Sequence, residues 1–109
     1  HPPAFVALAA LPPATLLAQA EGVARALGWE IVALDPQHGG LEATDTSLLF
    51  GFTDDIVLRI VPHEHGSQLD IRSMSRVGRS DVGVNAQRIR RFIMQLSATI
   101  ARHEGHGAG

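Results

Sequence analysis

Residues 56–76 constrain the fold more than any other part of this 109-residue chain. Two β-rich runs, 56–61 and 67–76, flank Pro62, His63, Glu64, His65 and Gly66, a composition suited to a turn. With residues 63–66 as the loop, an antiparallel register sets Val57 opposite Arg72, Leu58 opposite Ile71, Arg59 opposite Asp70 and Ile60 opposite Leu69. Ile56, Leu58, Ile60, Leu69 and Ile71 then share one face, while Arg59, Asp70 and Arg72 share the other. A slip of one residue would turn the whole apolar set toward solvent, so pairing and burial specify the same register. The ribbon has one face to bury, and the rest of the chain must cover it.

That cover is written in helical periodicity. Leu16, Leu17, Ala20, Val23, Ala24 and Leu27 recur at steps of three and four behind Pro13, which suits the first residue of a helix, and Gly28 ends the segment. Ile89, Phe92, Ile93, Leu96 and Ile100 repeat in the same way in a second helix from about Val84. Residues 29–34 and 41–46 flank Asp35, Pro36, Gln37, His38, Gly39 and Gly40 and read as another hairpin. Residues 5–11, stopped by Pro12 and Pro13, read as a short edge strand. The economical arrangement is an α+β fold: a mostly antiparallel sheet of four to five strands with two helices packed on one face. The implied boundaries are an N-terminal extension or edge strand over 1–11, a single domain over 12–102 and a flexible tail over 103–109. Trp29 is expected to plug the core. Leu48, Leu49, Phe50 and Phe52 around Gly51 are expected to close over it, with contact to a membrane or partner as the alternative.

Composition removes several classes of chemistry. Hydrophobic residues make up 45% of the chain, enough for a true core, and cysteine is absent, which excludes disulfides, thiolate metal sites and a cysteine nucleophile. All nine cationic residues are arginine, and there is no lysine or tyrosine for Schiff-base or phenolic acid-base work. A net charge of -2 argues against nucleic acid as a partner. The first twenty residues lack acids and arginines, but Pro2, Pro3, Pro12 and Pro13 prevent a spanning helix there. The chain opens on His1 and reads as a processed or excised piece of a longer protein. His63 with His65, and His103 with His106, are pairs on a loose turn and a tail; neither makes a metal site, and no metal or cofactor is expected.

Charge is unevenly distributed. Between Arg72 and Arg91 lie six arginines and one acid, Asp81, a local excess of +5 against -7 for the remainder. This block joins the last strand to the last helix, where backbone N–H groups and the helix dipole favour an anion. The binding reading is a pocket in which Arg72, Ser75, Arg76, Arg79, Ser80, Asn85 and Arg88 hold a carboxylate or phosphate, with Asp45, Asp54, Asp55 and Asp81 as supporting acids. The structural account of the same residues has more weight: Ser80, Asp81 or Asn85 caps the helix, Gly78 and Gly83 serve turns, and the arginines pair with acids of the same chain. Asp45 alternates onto the face of Leu41 and Ala43 and needs a partner there. Taken as function, the block points to a non-catalytic binding domain for a small anion or a protein partner. The alternative is a hydrolase or isomerase with Asp45 or Asp55 as base and Arg76 as oxyanion clamp. A third possibility is a structural spacer whose polar groups are all satisfied internally. No nucleophile elbow, phosphate loop or dinucleotide glycine pattern is present.

The run Arg72-Ser73-Met74-Ser75-Arg76-Val77-Gly78-Arg79-Ser80-Asp81-Val82-Gly83-Val84-Asn85, followed by Arg88-Ile89, closely resembles the signature of the domain of unknown function 1499 family. Glu42-Ala43-Thr44-Asp45-Thr46, Phe50-Gly51-Phe52 and Asp54-Asp55 resemble its other blocks in order and spacing, and the likeness spans roughly residues 12–98. It identifies Asp45, Asp54, Asp55, Arg72, Ser73, Ser75, Arg76, Gly78, Ser80, Asp81, Gly83, Asn85 and Arg88 as motif residues without dividing structure from function. The resemblance implies a soluble domain at the periplasmic side of the cell envelope, membrane-attached only through an N-terminal region outside this sequence.

Overall fold

The computed structural model describes residues 2–76 and 82–108. Its elements are β1 (Ala4–Ala9), α1 (Pro13–Ala26), β2 (Glu30–Asp35), β3 (Gly40–Thr46), β4 (Thr53–His63), β5 (Gly66–Ser75) and α2 (Val82–Ala108). The strands form one antiparallel sheet in the order β1-β5-β4-β3-β2. The first strand is thus an edge strand, bounded by prolines on both sides, and it pairs with β5.

The β4–β5 register is the one dictated by the apolar pattern: Val57 faces Arg72, Leu58 faces Ile71, Arg59 faces Asp70 and Ile60 faces Leu69. The ladder runs on to His63 and Gly66, leaving Glu64 and His65 as a two-residue turn. Glu64 takes a φ of 53°, a strained conformation for a side-chain-bearing residue, because a two-residue hairpin needs positive φ there. Gly66 lies against the end of β1, where an added Cβ would be driven into the Ala9 carbonyl oxygen.

Both helices cover one face. Leu16, Leu17, Ala20, Val23 and Ala24 of α1 meet Leu41, Ala43, Ile56, Leu58, Ile60, Leu69 and Ile71 of the sheet, and Ile89, Phe92 and Leu96 of α2 complete the core. Each buried Val, Leu, Ile or Phe side chain among these contributes about 1.5–3 kcal/mol. Pro13 opens α1, and Gly28, at a φ of 86°, turns the chain out of it into β2. Trp29 follows at once, is buried and stacks on Phe92 with centroids 5.2 Å apart and planes 15° from parallel. The opposite face of the sheet is mixed: Glu42, Asp55, Arg59, Asp70, Arg72 and Arg76 share it with the exposed apolar side chains of Val6, Leu8, Val61 and Met74. Helical backbone in α2 continues through Ala108, past Ile100 where the apolar spacing stops.

One expectation is overturned. The β3–β4 ladder persists to Thr46 and Thr53, so residues 47–52 form a tip beyond the end of the sheet. Leu48 is fully exposed and Leu49 and Phe50 largely so, and none of them closes the core. The reason is positional: the inward residues nearest this end are Asp45 and Asp54, so the apolar layer has already stopped before the loop begins.

Candidate functional site

Strand alternation divides the candidate residues between two faces. Asp45 on β3, Asp54 on β4, and Ser73 and Ser75 on β5 share the helix-covered face; Asp55, Arg72 and Arg76 lie on the other. Gly78, Arg79, Ser80 and Asp81 lie outside the described residues.

On the covered face the polar groups converge on Arg88. Its Nε donates to Asp45 Oδ2 at 2.9 Å, its Nη2 pairs with Asp54 Oδ2 at 2.9 Å, and its Nη1 donates to Ser73 Oγ at 3.1 Å and Asn85 Oδ1 at 2.7 Å. Ser73 Oγ donates to Asn85 Oδ1 at 2.6 Å, and Asn85 Nδ2 donates to Ser75 Oγ at 3.2 Å. The Arg88 side chain is 12% exposed and that of Asp54 is 3% exposed, so this is a desolvated ion-pair cluster in which a planar, always-charged guanidinium serves several acceptors at once. Asn85 does not cap α2, as its residue type suggested. It lies within the helix, one turn before Ile89, and its amide spans Ser73 and Ser75 instead.

The outer face holds simpler pairs. Arg76 forks onto Asp55, with Nη2 to Oδ1 at 2.7 Å and Nε to Oδ2 at 3.2 Å, and its backbone N–H donates to Thr53 O. The hydrogen bond to Asp55, and then that carboxylate's charge, raise the affinity of the Arg76 guanidinium for its proton. Arg72 lies 3.9 Å from Asp70. Asp45 and Arg76 therefore face opposite sides of the sheet and are not assembled as base and clamp; Asp55, the other candidate base, shares the face of Arg76 and is ion-paired to it. Among the described residues no group of three or more His, Asp or Glu is placed to hold a metal ion.

A pocket of about 290 Å³ opens beside the buried cluster, lined by Leu27, Trp29, Asp45, Val84, Gln87, Arg88 and Arg91. It continues along α2 into a shallower groove of about 420 Å³ that shares Leu27 and Arg91 and adds Met94, Ala98 and Arg102. Arg88, anchored by carboxylates, forms part of the pocket wall. Arg91 is exposed at the pocket and ion-pairs with no described residue.

A family model described as a protein of unknown function, DUF1499, matches residues 4–96. The chain belongs to the DUF1499 family. A search of curated proteins returned no match. Among solved structures, the chain resembles the crystal structure of Ara h 8.0201 at a TM-score of 0.63 and 11% identity, over 93% of this chain and 98% of that one. The fold is accordingly α+β and Bet v 1-like, and at that identity the likeness extends to the fold alone. Of the DUF1499 motif residues, Asp45, Asp54, Ser73, Ser75, Asn85 and Arg88 form one connected network, whereas Asp55 and Arg76 form a separate surface pair. Arg91, Gln87 and Trp29 escaped the list of expected ligand groups. Arg91 was accessible to reasoning, because it stands three residues beyond Arg88 and therefore on the same flank of the helix.

Proposed function

We propose that this DUF1499 chain is a non-catalytic binding domain that takes a small anionic molecule in the pocket between Trp29 and the start of α2. One observation carries the reading: Arg91, with no carboxylate partner among the described residues, stands at a pocket walled by Trp29 and by an Arg88 that is already immobilised. Arg91 supplies the mobile charge, Gln87 a neutral donor, and Leu27 and Trp29 an apolar wall for the rest of the ligand. Arg72 and Arg76 take no part, since they face the other side of the sheet. The periplasmic side of the cell envelope remains part of the proposal, supported by the family resemblance; no helix among the described residues is long and apolar enough to cross a membrane.

Trp29 is the only tryptophan and lines the pocket, so it reports directly on occupancy. Titration with acetate and with inorganic phosphate, followed by Trp29 fluorescence and by the Nε–Hε signals of Arg88 and Arg91, should give saturable changes in the millimolar range. Arg91→Ala should weaken them about tenfold or more, the loss of one charge-assisted hydrogen bond. A flat response, or one that Arg91→Ala leaves unchanged, removes the proposal.

A further inference from the structure

The tip between β3 and β4 is built to do something other than fold. Leu48 is fully exposed, Leu49 is 88% exposed and Phe50 is 72% exposed, three consecutive apolar side chains at the end of the sheet. Isolated apolar surface residues are ordinary, but a contiguous apolar tip is not. The turn that presents it is internally bonded. Ser47 N–H donates to Phe52 O at 2.8 Å, Gly51 N–H donates to Ser47 O at 2.8 Å, and Phe50 N–H donates to Ser47 Oγ at 3.3 Å. Gly51, at a φ of 68°, makes the reversal without strain, and the Phe50 and Phe52 rings stack with centroids 5.9 Å apart.

We propose that this tip inserts into the interfacial region of a lipid bilayer. Two features select that occupant. The first is charge: residues 47–52 carry none, Asp55 behind them is matched by Arg76, and Asp45 and Asp54 share the guanidinium of Arg88. The tip itself therefore presents no charge to the headgroups, which complements a zwitterionic layer. The second is area: a stable dimer buries about 800 Å² per partner, and three side chains at roughly 200 Å² each on a narrow tip do not reach it. The local hydrogen bonds also lower the cost of moving the tip's backbone out of water. Apolar side chains entering the acyl boundary then supply the attraction.

The test is partitioning onto phosphatidylcholine vesicles, measured by co-sedimentation in low salt and in 0.5 M NaCl. Binding that persists in high salt is expected, and the combined variant Leu48→Ser, Leu49→Ser, Phe50→Ser should lower the partition coefficient by roughly a hundredfold. Circular dichroism should show an unchanged melting transition for that variant; if it melts early, Leu49→Ser alone serves in its place, with about a tenfold loss expected. Phe50→Trp, read as a difference against the Trp29 background, should shift to the blue on vesicles and be quenched by lipids brominated near the headgroup. No sedimentation, sedimentation unaffected by the serine variants, or an unshifted tryptophan at position 50 overturns the proposal. So does a loop that binds a protein partner but no lipid.

Discussion

Arg88 and the two carboxylates it holds form the most consequential set of side chains in the molecule. Deleting the guanidinium leaves Asp45 and Asp54, which face each other across β3 and β4, without the fork they share, and Asp54 has almost no contact with water. Arg88→Ala should therefore cost about 3–5 kcal/mol in urea denaturation. Arg88→Lys keeps the charge but has no planar fork for acceptors on three strands, and should recover only part of the loss. Sequence parity indicated that Asp45 points inward and needs a partner; Arg88 was the discoverable candidate, three residues after Asn85 and four before Phe92 on the flank of the apolar stripe. A second prediction concerns Asp35, whose carboxylate is held below its ordinary value of 3.8 chiefly by the hydrogen bond to His38 at 2.8 Å. A depressed carboxylate stabilises the folded state above its unfolded value, and that contribution disappears as pH falls through the folded one. NMR titration should place the Asp35 midpoint below 3.8, and Asp35→Asn should remove that portion of the acid dependence.

Among the elements, the hairpins were legible because their information is local. Turn chemistry, alternation and loop length act over a dozen residues, and they specify the β4–β5 register pair by pair. The pairing of β1 with β5 has no such local origin, since Ala7 and its partner Leu69 lie 62 positions apart in the chain. Gly66 is the contact on which that pairing is most easily tested. In Gly66→Ala the new methyl meets the Ala9 carbonyl, so the end of β1 must move away from β5. The expected cost is about 1–3 kcal/mol. Hydrogen exchange should accelerate for β1 amides while those between β3 and β4 keep their protection. The β3–β4 tip shows where local reasoning misleads: apolar composition suggests burial, but a loop is buried only if something extends far enough to cover it.

Across the whole molecule, α2 joins the parts. Its Asn85 and Arg88 reach β3, β4 and β5, its Phe92 packs on Trp29 beside α1, and its outer flank borders the groove with Arg91 and Arg102. The helix is therefore at once the lid on the core, the cation for the buried carboxylates and the wall of the proposed site. By itself the amino-acid order determined the two helices, the two hairpins, the register of β4 with β5, the single buried face and the inward turn of Asp45, because each follows from periodicity or from contacts close along the chain. Only the tertiary structure decided that β1 closes the sheet against β5, that Arg88 rather than Arg76 answers Asp45, that Arg76 belongs to the opposite face, and that Leu48, Leu49 and Phe50 project into solvent. Those outcomes depend on which distant surfaces meet in three dimensions, and one-dimensional spacing carries no measure of that distance.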